Sequence, residues 1–204
     1  MNAPLLRVIA AALLALCLAR AAPAADVPTL EAGQFEGLML AIDPAGTVTG
    51  YYREQQGEGV TKTCTFFLSG RATANPFDIV TWSKEVFSGT LKSVGKDVEL
   101  KIARGRDHPG CRMVLLPEIA EGLVLERSSK AKWIGLRVVT APRAYFHAKP
   151  DDAEKRRVFV VKGDVVAVLA EDGDWLDVAY PGEKKTTQGW IHAAELAKPM
   201  PPGR

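Results

Sequence analysis

From Gln34 to Val139 apolar and polar residues alternate in short runs broken by turn chemistry. Gln34–Ile42 leads into Asp43-Pro44-Ala45-Gly46, where Pro and Gly suit a tight turn. Thr47–Arg53 and Thr61–Leu68 follow, the second alternating Thr61, Thr63 and Thr65 with Lys62, Cys64 and Phe66. Phe77–Trp82, Val86–Lys92, Asp97–Ala103, Cys111–Leu115, Gly122–Glu126 and Lys132–Val139 continue the series. Strand-length runs at this spacing, with Gly, Pro and Asp between them, predict an antiparallel sandwich or barrel. Helical signal is confined to Ile119–Leu123 and Ala193–Leu196, too short for the helices an α/β enzyme places between strands. The expected fold is all-β, with about eight strands in an N-terminal barrel or sandwich over 26–137. The aromatics Phe35, Tyr51, Tyr52, Phe66, Phe67, Phe77, Trp82, Phe87 and Trp133 are expected as its packed core, with the lining of a ligand cavity as the sharper alternative.

The pattern changes character at Val138. Val138–His147 is followed by the polar Lys149–Arg157, then Val158–Leu169 interrupted by Lys162-Gly163-Asp164. Glu171-Asp172-Gly173-Asp174 reads as a turn into the strand Trp175–Tyr180, and a polar hairpin leads to Gly189-Trp190-Ile191 and Leu196. The Lys162-Gly163-Asp164 step, Gly173-Asp174-Trp175 with Val178, and Gly189-Trp190-Ile191 before Leu196 resemble, in that order, the bacterial SH3-like (SH3b) domain family. The resemblance implies a small β-barrel over 138–198, leaving 199–204 as a tail, and accompaniment of wall-active enzymes. Period-two alternation places Leu176, Val178 and Tyr180 on one face of their strand and Trp175, Asp177 and Ala179 on the other. With the first face inward, Trp175 and Trp190 are left outside. An exposed large aromatic is how such barrels hold peptides, although small barrels also half-bury such residues against their own loops. Tyr145, His147, Trp175, Tyr180 and Trp190 are the candidate ligand-binding residues.

Residues 1–25 have the parts of a secretory signal peptide: Arg7, the apolar run Val8–Ala19 and the small-residue ending Ala22-Pro23-Ala24-Ala25. A periplasmic or secreted location is therefore expected, with no membrane insertion once the segment is removed. The segment holds two Arg and no acid, which leaves the 26 basic residues reduced to 24 against 24 acidic. A balanced chain offers no basic face to track phosphates, so nucleic acid is not an expected partner. Recognition has to come from local patches.

Removing Cys17 with the leader leaves Cys64 and Cys111 in an oxidising setting, where a disulfide is the default reading. A metal or Cys–His site using His108 is the sharper alternative. It lacks a third and fourth ligand nearby, since His147 and His192 lie in the other unit. No cofactor is implied: there is no Gly-rich phosphate loop, no Gly-x-Ser-x-Gly and no His-Glu-x-x-His. The loop Arg104-Gly105-Arg106-Asp107-His108-Pro109-Gly110 has two Arg suited to gripping a carboxylate, which makes Arg104, Arg106, Asp107 and His108 a candidate partner-contact loop. Two functions follow. One is an exported, non-enzymatic binding protein whose SH3-like unit recognises peptidoglycan peptide or an envelope protein. The other is an inhibitor or immunity protein that plugs a cell-wall hydrolase or toxin with the rigid loop. The second unit contains no Cys and has its own alternating core, so it is expected to stay folded when the disulfide is removed.

Overall fold

In this computed structural model residues 30–59, 62–182 and 185–203 are described; the expected signal segment and Lys184 lie outside them. The alternation along the first half becomes nine antiparallel strands: β1 (Gly33–Phe35), β2 (Leu38–Ile42), β3 (Thr47–Gln56), β4 (Lys62–Arg71), β5 (Phe77–Trp82), β6 (Val86–Val94), β7 (Asp97–Lys101), β8 (Leu123–Leu125) and β9 (Arg127–Lys130). The sheet runs in sequence order from β8 back to β1, and β9 then pairs with β1. Because β8 and β9 are consecutive, the chain itself crosses from one edge to the other at Glu126. There Glu36 N–H donates to the Glu126 carbonyl at 3.0 Å, so the sheet is a nearly closed barrel. Closure leaves little open edge. On β3 and β4 the inward positions are Val48, Gly50 and Tyr52, and Cys64, Phe66 and Leu68, as period two requires.

Phe35, Tyr52, Phe66, Phe77 and Phe87 fill the barrel together with Leu, Ile and Val residues. Tyr51, Phe67 and Trp133 do not; they sit on its outer surface, under the second sheet. The run Gln34–Ile42 is two strands, folded at Gly37 with φ 67°. Cys111–Leu115, expected as a strand, is instead a short 3-10 turn over Cys111–Met113. Gly110 enters it at φ 83°, and a Cβ there would lie 2.1 Å from the Thr63 carbonyl. Only glycine lets the loop approach β4 this closely, and the approach brings Cys111 to Cys64. The two form a disulfide with Cα atoms 4.3 Å apart, both fully buried.

The second sheet contains β10 (Gly135–Val139), β11 (Arg143–His147), β12 (Lys155–Val161), β13 (Val165–Asp172), β14 (Trp175–Pro181), β15 (Thr186–His192) and β16 (Leu196–Ala197). Its order is β12-β11-β15-β14-β13-β10-β16, a half-barrel around Val139, Phe146, Val160, Val166, Val168, Leu176, Val178 and Ile191. The seam expected between Arg137 and Val138 falls inside β10; by sheet membership the second unit begins at Gly135. The two sheets are packed together. Ala41, Trp133, Leu136, Val165 and Ala167 are buried between them, which is why Val165–Val168 are buried on both faces of β13.

Candidate functional site

The outward face of the half-barrel is set by three cross-strand pairs. β14 and β15 place Trp175 opposite His192 and Asp177 opposite Trp190, and β15 and β11 place Trp190 opposite His147. Opposed residues on an antiparallel ladder share a face, so these five side chains form one surface. The His192 ring lies 3.7 Å from the Trp175 ring, tilted by 31°, while His147 meets Trp175 edge-on at 4.7 Å. His147 is buried, its Nδ1 lying 3.4 Å from the Trp190 carbonyl, and Trp175 is half-buried between the two imidazoles. Asp152, from the turn before β12, bonds His192 Nε2 at 2.8 Å. That bond holds the Asp152 carboxyl below the usual carboxylate range.

The expected site residues divide. His147, Trp175 and Trp190 are together. Tyr145 is on the same strand face as His147 but packs against Phe159, with centroids 5.5 Å apart, and carries Lys155 Nζ 3.9 Å above its ring. It forms a shoulder of the surface. Tyr180, at the far end of β14, is not part of it. It lines a crevice of about 160 Å³ between the two sheets, with Tyr51, Arg53, Gly163 and Asp164. Burial raises its phenol pKa, and Asp164 adds to the effect. Tyr180 has the parity of Leu176 and Val178, opposite to that of Trp175, so its place among the candidate ligand-binding residues is corrected. His192 and Asp152 were missed; His192 is two residues beyond Trp190, so the same parity puts it on the aromatic face.

In the charged loop of the first barrel Arg104 and Asp107 are exposed, Arg106 is half-buried and His108 is buried. Arg104 Nε donates to Asp107 at 2.8 Å and its guanidinium covers the Phe87 ring at 4.8 Å. Arg106 donates to the Arg112 carbonyl. His108 does not belong to a partner-contact surface, because it is 1% exposed. Its ring stacks on Phe66 at 4.8 Å and meets Phe87 edge-on at 4.7 Å. Thr81 Oγ1 donates to the Phe87 carbonyl at 3.3 Å, which leaves it to accept from His108 Nε2–H at 3.0 Å. Nδ1 then accepts from the Ser83 hydroxyl at 3.2 Å. Burial pushes the His108 pKa down to about 4, so it is neutral at pH 7. Among the described residues no three His, Cys, Asp or Glu side chains gather as a metal set.

No family model matches the chain, and no curated protein and no solved structure is found similar to it. The residues themselves therefore carry the functional argument. The surface around Trp175 presents an indole between two imidazoles, with the carboxylates of Asp152 and Asp177 beside it. Such a surface can stack on a flat or apolar group and accept hydrogen bonds from amines.

Proposed function

We propose that this is an exported, non-enzymatic binding protein whose C-terminal half-barrel is an SH3-like module recognising the peptide part of the cell wall. The observation that carries the reading is Trp175, half-buried between His147 and His192 on the outer face. A large aromatic kept partly accessible and rigid loses little entropy when a ligand covers it. The resemblance at Lys162-Gly163-Asp164, Gly173-Asp174-Trp175 and Gly189-Trp190-Ile191 supports the module, and those segments fall at the turn before β13, the start of β14 and the end of β15. Asp152 and Asp177 suit the amines of stem peptides. The Cys64–Cys111 bond and the Met1–Ala25 segment support a periplasmic or secreted location. The inhibitor reading gains nothing, since Arg104 and Arg106 are engaged within their own loop.

The test is co-sedimentation of the mature chain with purified peptidoglycan sacculi. Retention that is lost in Trp175→Ala, and weakened in Tyr145→Ala, supports the reading. Retention indifferent to both, or none at all, rejects it.

A further inference from the structure

The apolar seam between the two sheets gives way to polar clefts toward both ends of β3. Beside Thr47 and Thr49 the charges are matched, since Arg137 donates to the Glu171 carboxylate at 2.8 Å. Beside Tyr51, toward the other end, lies the crevice of about 160 Å³ that Tyr180 also lines. Among the described residues that line it Arg53 and Asp164 carry the only charges, and neither belongs to any of the ion pairs. Two opposite charges that share a small crevice without meeting can each take a partner from outside.

The two charges come from different sheets, and each is held by its own backbone. Arg53 shares the outward face of β3 with Tyr51 by period two, and its N–H donates to the Gly37 carbonyl at 2.7 Å. Asp164 ends the Lys162-Gly163-Asp164 turn that leads into β13. Its carboxylate accepts from Val161 N–H at 2.8 Å, through one oxygen of the two, and its N–H donates to the Val161 carbonyl at 3.0 Å. The carboxylate is thus pinned to its own turn. Burial raises the pKa of both the Tyr51 and the Tyr180 phenol, and in each case Asp164 raises it and Arg53 lowers it, so both charges reach both hydroxyls. The phenols stay protonated at pH 7 and are able to donate.

Size and charge define the occupant. The crevice is smaller than the roughly 300 Å³ at which sites begin to take drug-sized molecules. One cation and one anion match a carboxylate and an ammonium, while Met39 and Pro181 offer apolar contact. A ligand of one sign only would leave the opposite charge of the crevice beside it unmatched. We infer that the crevice binds a small α-amino acid as its zwitterion, with the carboxylate on Arg53 and Tyr51 and the ammonium on Asp164. Because Arg53 belongs to the barrel and Asp164 to the half-barrel, the ligand bridges the two sheets. Poles fixed before binding cost little to organise. The site is distinct from the Trp175 surface and does not depend on its ligand.

The experiment is an amide-resolved NMR titration of a chain that starts at Asp26 with glycine, L-alanine and D-alanine at millimolar concentration. Shifts are expected on residues 37–39, 51–53 and 163–165, on both sheets at once. Acetate and ethylamine each supply one pole and should bind at least about tenfold more weakly than the better alanine enantiomer. Arg53→Gln, at an exposed position, should weaken alanine binding about tenfold. Asp164→Asn should do the same, and it keeps an oxygen to accept from Val161 N–H, so the turn persists. Trp175→Ala should leave this binding intact. Acetate or ethylamine binding as tightly as alanine would overturn the zwitterion. Binding indifferent to both crevice variants, shifts centred on Trp175, or no shifts with any of the three amino acids would overturn the site.

Discussion

His108 Nε2 lies 3.0 Å from the Thr81 hydroxyl inside the first barrel, and its Nδ1 lies 3.2 Å from that of Ser83. In the neutral ring Nε2–H donates to Thr81 and Nδ1 accepts from the Ser83 hydroxyl. Burial lowers the folded pKa to about 4 from 6.5. Between these values the unfolded chain binds the proton and the folded chain does not, so stability falls as pH falls through this window and is unaffected above it. The expected loss is about 3 kcal/mol by pH 4, measured by urea unfolding at successive pH values. His108→Phe should remove most of that slope, and a variant with the same slope would refute the assignment.

The disulfide joins Cys111, on a loop, to the middle of the barrel wall at Cys64. Thiol titration of a denatured, unreduced chain that starts at Asp26 should find no free thiol. Cys111→Ser is expected to cost roughly 2–5 kcal/mol. Gly110→Ala should cost about 2 kcal/mol or more, through its φ of 83° and the clash with Thr63. A Gly110→Ala protein as stable as wild type in thermal melts would contradict this account of the loop.

Trp133 is 5% exposed and sits in the apolar seam with Ala41, Leu136, Val165 and Ala167. This seam revises the expectation that the second unit melts on its own. Wild type should unfold in one transition, and Trp133→Ala should cost about 3–5 kcal/mol and split it into two. Calorimetry decides, and two transitions already present in wild type would refute the coupling.

His192 covers one face of the Trp175 indole. His192→Ala should leave stability within about 1 kcal/mol, because Asp152 is exposed and such pairs contribute little. It should instead raise the acrylamide quenching of Trp175 emission, measured with the other three Trp replaced by Phe. Unchanged quenching would mean that His192 does not shield the indole.

Period-two alternation was enough to find most strands and the inward Leu176 and Val178 of β14, while on β3 and β4 both neighbours of each aromatic pair, Tyr51 with Tyr52 and Phe66 with Phe67, were expected in the core. It failed at Cys111–Leu115, where Gly110 and the disulfide impose a turn on an apolar run. It also failed at Arg127–Lys130, a polar strand recruited because closing the barrel needs a partner for β1. Tyr180 illustrates the limit for the site. Its type and position suggested a ligand residue, but its strand carries it to the opposite end from Trp175, against the first barrel.

What the chain determines by itself is local: alternation and turn glycines specify an all-β protein, and of its three cysteines Cys64 and Cys111 are the two that lie beyond the expected leader. These features act over a few residues. Tertiary structure decided which aromatics are core and which are seam. Phe66 and Phe67 are neighbours of one kind, yet one fills the barrel and the other lies under the second sheet. It also decided that His108 is sealed inside while His192 lies on Trp175, because burial of a side chain depends on what a distant strand brings to cover it.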